Sequence, residues 1–313
     1  MHTLVLSLNP AVDVEWRMDH LHWEEKNTVL REHRWAGGKG VNVGRWLKFL
    51  GAHPRMLIPL GGAAGRELRG FLARERVPIL PVWLQENSRV NVVATTAEGR
   101  QIRFNQVGPR LSPAEWQRVN ALMKRGLIGA GCVICSGSLP AGAPVNTYAR
   151  VVREAHAAGV RAIVDCDGPV FAAAVKARPF LVKPNEHELS LWAGRALRGE
   201  AAILSAARAL SAATAGWVLV SRGPAGAMLV HAREKVSLFA PVPRIQVRNT
   251  VGAGDALLSA AAHQIELGAA PEQWLRWGVA TASAAVQCVG GEFPLANAVR
   301  RLATRIPVRS LTQ

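Results

Sequence analysis

The stretch that constrains this chain most is Arg248-Asn249-Thr250-Val251-Gly252-Ala253-Gly254-Asp255-Ala256, a glycine-rich turn running into an alanine-rich apolar segment with no breaker before Gly268. That pattern predicts a loop that opens a helix. Gly252 and Gly254 have no Cβ, so their amides can approach a ligand closely. The first amides of a helix have no internal acceptor and lie at its positive end, where they can hold an anion. Asp255 then stands inside an anion site, an awkward place for a carboxylate unless it handles a proton. Amides that gather phosphate charge, beside a base able to take a hydroxyl proton, are the parts of a phosphoryl-transfer centre. The same short string also fits an ordinary helix start with a capping aspartate, so the rest of the chain has to discriminate.

Such a turn needs a core to hold it, and 313 residues suffice for one large domain or two small ones. No stretch approaches 18 uninterrupted apolar residues, which argues for a soluble globular protein without a membrane span. The start, Met1 to Asn9, lacks a basic region before its apolar run and reads as a first strand, not a signal peptide. Cys132 and Cys135 form a C-x-x-C inside an apolar run, with no second Cys or His pair to answer them. Small buried residues are expected there instead of zinc, and a cytoplasmic location fits. The net charge of +16 is large, but arginine and lysine are dispersed, with no run of five or six. Anionic small molecules are the expected partners, and nucleic acid is not.

Taken in order, the chain alternates strands with polar or glycine-rich strand ends. Thr3 to Leu8 is a β-rich run ending in Asn9-Pro10-Ala11-Val12-Asp13, where Asn9 and Asp13 can bond sugar hydroxyls. Val14 to Trp35 is an irregular excursion. Gly37-Gly38-Lys39-Gly40-Val41-Asn42 leads into a helix with Val43, Trp46, Leu47 and Leu50 on one face. It does not match a P-loop. Arg89 to Thr96 and Gln101 to Gln106 read as a hairpin. Ser112-Pro113-Ala114-Glu115 is a capping box. Strands then end in Ser136-Gly137-Ser138-Leu139-Pro140, Asp165-Cys166-Asp167-Gly168, Lys183-Pro184-Asn185-Glu186-His187-Glu188 and Ser221-Arg222-Gly223-Pro224-Ala225-Gly226. In a doubly wound sheet the ligand crevice lies at these ends. After Asp255 only helix is expected, over about 255–267, 271–289 and 295–303. No repeat, low-complexity segment or linker is visible, so one α/β domain over 1–313 is expected.

Five of these strings, in order, resemble the ribokinase-like PfkB family of carbohydrate kinases, and within it the phosphosugar branch of 1-phosphofructokinases and tagatose-6-phosphate kinases. They are Asn9-Pro10 with Asp13, Gly37-Gly38-Lys39-Gly40 with Asn42, Ser136 to Pro140, Lys183-Pro184-Asn185 with Glu188, and Thr250 to Asp255. Leu181 to Asn185 with Leu191 to Arg195 looks particularly like the 1-phosphofructokinases. The resemblance implies a three-layer α/β/α fold, a largely parallel central sheet and a small β-sheet lid built from about 14–34 and 89–106. It implies transfer of the ATP γ-phosphate to a sugar hydroxyl. Asp255 would be the base, with the amides around Gly252, Ala253 and Gly254 stabilising the transferring group. Lys183, Asn185, Glu188, Ser221, Gly223, Gly226 and Thr250 would serve ATP, and Asn185 and Glu188 would organise Mg2+ through water. Asp13, Gly38, Lys39 and Asn42 would bind the sugar, and Arg89, Arg103, Lys26 and Ser138 its phosphate.

The expected function is therefore an ATP-dependent kinase of a ketohexose phosphate, with fructose 1-phosphate giving fructose 1,6-bisphosphate as the leading case. Tagatose 6-phosphate, fructose 6-phosphate, or another sugar or nucleoside are the alternatives within the same chemistry. A non-catalytic anion or nucleic-acid binder is the alternative outside it. A homodimer through an exposed lid edge is also expected.

Overall fold

The computed structural model describes residues 1–311. The first half contains β1 (His2–Leu6), β2 (Ala11–Met18), β3 (Arg31–Gly37), α1 (Lys39–Phe49), β4 (Pro54–Gly61), α2 (Gly62–Arg74), β5 (Ile79–Leu84), β6 (Arg89–Thr96), β7 (Gln101–Asn105) and α3 (Pro113–Leu127). From there strand and helix alternate: β8 (Ala130–Ser136), α4 (Thr147–Ala157), β9 (Arg161–Asp165), α5 (Gly168–Lys176), β10 (Leu181–Val182), α6 (Glu186–Ala193), α7 (Gly199–Thr214) and β11 (Trp217–Ser221). Then follow β12 (Ala227–His231), β13 (Val236–Ala240), α8 (Ala253–Glu266), α9 (Pro271–Ala285), α10 (Ala298–Ala303) and β14 (Arg309–Ser310).

Among the described residues, ten strands form the main sheet, in the order β14-β13-β12-β11-β10-β9-β8-β1-β4-β5. The seven from β11 to β5 run parallel, whereas β12, β13 and β14 are antiparallel. Alternate side chains divide between two cores, as the pleat requires. Leu4, Leu6, Val133 and Cys135 pack beneath α3, α4, α5, α6 and α7. Val5, Cys132 and Ile134 pack beneath α1, α2, α8, α9 and α10. The result is the expected three-layer α/β/α arrangement. It differs from the sequence reading at the β12–β13 hairpin, which was not distinguished, and at β14, where only helix was expected. Both antiparallel additions lie on one side of the sheet, where no crossover helix is needed to reach the next strand.

The second sheet has four strands in the order β3-β2-β6-β7. Within it β2 is antiparallel to β3 and parallel to β6, and β6 is antiparallel to β7. The irregular run after Val14 thus resolves into one long antiparallel pair, with residues 19–30 as its connection. Among the even-numbered residues of this sheet, Val12, Val14, Met18, Ala36 and Ala94 are buried, whereas Glu32 and Phe104 are exposed. Odd-numbered ones, among them Asp13, Glu15, Trp35, Arg89, Asn91 and Arg103, line a cleft over the C-terminal ends of the parallel strands.

Candidate active site

A cleft of about 960 Å³ lies between the small sheet and those strand ends. Its floor is the turn predicted to open a helix. Gly252 is the N-cap of α8 in the left-handed region at φ 80°, a conformation glycine adopts without strain. The first intrahelical bond runs from the Ala256 amide to the Gly252 carbonyl (2.9 Å). The Gly254 and Asp255 amides therefore have no intrahelical acceptor. The Ala253 amide instead turns back toward the Thr250 carbonyl at 3.4 Å, so it is less available than the sequence reading supposed.

Asp255 sits in the first turn of α8 and is 6% exposed, yet it lines the cleft. Its Oδ2 accepts a hydrogen bond from Asn42 Nδ2 (2.8 Å) on α1. Burial, reinforced by the nearby Asp165 carboxylate, pushes its pKa up to about 7, against the opposing pull of Asn42, Lys183 and Lys39. A carboxyl tuned near neutrality is suited to accept a proton from an alcohol.

Two lysines stand beside it. Lys183, at the end of β10, is buried, and its Nζ lies 3.4 Å from where a Cβ on Gly254 would be. Lys39, the first residue of α1, has its Nζ 3.5 Å from Glu188 Oε1. The Asp165 carboxylate and, more weakly, Glu188 hold the Lys39 ammonium well above its usual pKa, against the cost of burial.

Asn185 and Glu188 form a capping box that the sequence reading did not identify. The Glu188 amide donates to Asn185 Oδ1 (2.8 Å), and the Asn185 amide donates to Glu188 Oε2 (2.9 Å). The box leaves Glu188 Oε1 facing the cleft. Among the described residues, no cluster of three His, Cys, Asp or Glu side chains could hold a metal ion. One outward carboxylate oxygen beside an amide suits Mg2+ that arrives on nucleotide phosphates and keeps most of its waters. The donor set fits a hydrated ion and not a protein-caged one.

The sugar side is built on the small sheet. Asp13 is held over Gly37, where an added Cβ would come within 2.1 Å of its carboxylate. Glycine at 37 is therefore required by Asp13, not by a turn. Asn91 Nδ2 donates to Asp13 Oδ1 (2.9 Å). The Arg89 guanidinium donates to the Asn9 carbonyl (3.1 Å) and to the Gln106 carbonyl (3.2 Å), which aims it along the cleft wall. Among the described residues, Arg103 receives support only from Gln101 Oε1 (3.3 Å).

Of the residues predicted from the sequence, the cleft gathers Asp13, Gly38, Lys39, Asn42, Arg89, Arg103, Lys183, Asn185, Glu188, Ser221, Thr250, Gly252, Gly254 and Asp255. Four do not line it, besides the turned-back Ala253. Lys26 is exposed in the connection between β2 and β3. Ser138 is exposed and accepts from Asn9 Nδ2 (3.1 Å). Gly223 opens a single 3₁₀ turn after β11. Gly226 is demanded by packing, since a Cβ there would meet the Ala240 carbonyl oxygen at 2.1 Å. The Nδ2 of Asn9, a residue offered for sugar contact, donates to the Val107 and Leu139 carbonyls and to Ser138, and Asn9 does not line the cleft. The cleft also contains residues the sequence reading missed: Glu15, Arg17, Trp35, Thr95 and Asn105 on the small sheet, and Arg248 ahead of the α8 turn. The period-two polar pattern Asp13-Glu15-Arg17 was the available signal for the first of these.

The chain is also similar to known proteins. A family model described as pfkB family carbohydrate kinase matches residues 11–298. The chain is 34% identical over 286 residues to the ATP-dependent 6-phosphofructokinase isozyme 2 of Escherichia coli strain K12, covering 90% of this chain and 91% of that one. It is 34% identical over 310 residues to the 1-phosphofructokinase of Rhodobacter capsulatus, covering 98% and 97%. A solved structure of the tetrameric inhibited form of phosphofructokinase-2 from Escherichia coli superposes with a TM-score of 0.89 at 29% identity, covering 97% of this chain and 98% of that one.

Proposed function

We propose that this chain, which belongs to the pfkB family of carbohydrate kinases, is a phosphosugar kinase that transfers the ATP γ-phosphate to fructose 1-phosphate, giving fructose 1,6-bisphosphate. The observation that carries this reading is one cleft holding Asp255, the amides of the α8 turn, two lysines and the small-sheet arginines. In it the sugar hydroxyl gives its proton to the Asp255 carboxylate. The alkoxide oxygen forms a bond to the γ-phosphorus as the bond to the ADP oxygen breaks. The Gly252 and Gly254 amides and the Lys183 ammonium meet the charge of the transferring group. Asp13, Asn42 and Gly38 orient the sugar, while Arg89 and Arg103 hold its phosphate by charge-assisted bonds. Mg2+, when bound on the ATP phosphates near Asn185 and Glu188, supplies further charge neutralisation.

Fructose 6-phosphate is the second reading, favoured by the equal identity to a 6-phosphofructokinase isozyme. An ADP-release assay over a sugar panel decides between them. Fructose 1-phosphate should give the highest kcat/KM, and free fructose and ribose almost none. A preference for fructose 6-phosphate, or for an unphosphorylated sugar, would overturn the assignment.

For assembly we propose a homodimer through the small sheet. Among the described residues the β7 strand pairs only with β6, and Phe104 on it is 52% exposed, a combination that invites pairing. Sedimentation velocity should give a dimer that Phe104→Asp weakens. A monomer at micromolar concentration would refute it.

A further inference from the structure

We propose that Asp165 is a positioning residue that holds Lys39 and Lys183 at the phosphate end of the cleft from behind. The proposal deepens the phosphosugar-kinase reading and rests on it. Asp165 ends β9 with no exposed surface, and it does not line the cleft. Its Oδ1 lies 3.3 Å from Lys183 Nζ and 3.5 Å from Lys39 Nζ. The two ammoniums come from the end of β10 and the start of α1, so one carboxylate oxygen joins three segments. Each lysine then faces a different target. Lys183 Nζ stands beside Gly254, while Lys39 Nζ reaches Glu188 Oε1.

The physical need for such an anchor is clear. Two ammoniums on one carboxylate oxygen repel each other, and that repulsion is strong away from bulk water. Lysine is also a flexible stem with a compact charge, which fixes no direction by itself. A fully buried carboxylate between them offsets the repulsion and restricts both stems. Phosphate oxygens entering the cleft then meet donors already in place, which is the condition for electrostatic stabilisation of a transferring group. Asp165 does not line the cleft; it acts on phosphate binding through the lysines, apart from its separate upward push on the Asp255 carboxyl.

A double-mutant cycle tests this. Asp165→Asn alone should weaken ATP binding, measured by calorimetry, about 10- to 100-fold, and should raise KM for ATP more than KM for the phosphosugar. In the Lys39→Met/Lys183→Met background, adding Asp165→Asn should change ATP affinity by less than about twofold, because the residue then has nothing to position. It should also raise Tm in that background, since it removes a buried carboxylate left without a cation. Equal losses of ATP affinity in both backgrounds would overturn the proposal. So would recovery of the single variant by raised Mg2+, which would make Asp165 a metal ligand. If Asp165→Asn alone does not fold, the lysine-free pair still reports the coupling through Tm. Calorimetry needs no acceptor, so a failed sugar panel would sink the substrate assignment and leave this cycle readable.

Discussion

Asp255 concentrates the consequences of the fold at the scale of a single residue. Its carboxyl titrates near 7 because burial and Asp165 disfavour the charged form, and a base must be charged to act. Activity should therefore rise with pH: kcat/KM should increase about tenfold per unit below about 7 and level above it. A flat profile from pH 5.5 to 8.5 would separate Asp255 from proton transfer. Asp255→Asn should lower kcat by about 10²- to 10⁴-fold while ATP affinity holds. Its effect on stability has the opposite sign. A carboxyl whose folded-state pKa is raised holds more protons folded than unfolded, so stability falls as pH rises from about 4 to about 7. The asparagine variant escapes that loss and keeps the Asn42 bond. It should be more stable than the parent at pH 8, by on the order of 1–3 kcal/mol, and no more stable near pH 4. Thermal melts at both values check the sign.

Two capping boxes separate structural from functional helix starts at the scale of an element. Ser112 caps α3, with Glu115 completing the box, and neither residue lines the main cleft. Asn185 and Glu188 cap α6 with the same geometry inside the cleft. Ser112→Ala should cost about 1 kcal/mol of stability and leave kcat and KM unchanged. Asn185→Ala should cost a similar amount and also raise KM for ATP, because it frees Glu188 from its orientation. Equal kinetics in the two variants would reduce the second box to a cap. The first box was legible from Ser112-Pro113-Ala114-Glu115 because serine, proline and glutamate in that spacing have few other uses. The second was read as a phosphate and metal motif, and the same residues proved to build a helix as well.

Arg45 is the tie that makes one body of the α8 turn and the small sheet at the scale of the whole molecule. It is 5% exposed on α1, yet its guanidinium makes two bonds of 2.6 Å to Glu75 at the end of α2. It also donates to the Ala36 carbonyl on β3 (3.2 Å) and to the Gly291 carbonyl (2.6 Å), and it lies over the Phe293 ring. The loop held this way continues the connection: Gly290 and Gly291 pack on Trp35, and the Arg248 amide donates to the Val286 carbonyl (2.7 Å). Arg45→Met would leave two carbonyls and the partly solvated Glu75 carboxylate without their donor, so a cost of about 1–3 kcal/mol is expected. It should also raise KM for both substrates, since both walls of the cleft depend on the tie. A variant with normal KM values and a lowered Tm would confine Arg45 to stability.

By itself the sequence determined what neighbours along the chain decide: the glycine turns that open α1 and α8, the cap of α3, the period-two strands and the polar strand ends where the cleft lies. Those features are written in spacings of one to four residues. Tertiary structure alone decided the rest. It turned β12, β13 and β14 antiparallel, moved Lys26 and Ser138 out of the cleft wall, and aimed the odd face of the small sheet inward. It also set Lys39 and Lys183 on Asp165, and raised the affinity of Asp255 for its proton. Each of these depends on groups far apart in the chain meeting in space where water is excluded, and desolvation and Coulomb interaction act through space, not along the backbone.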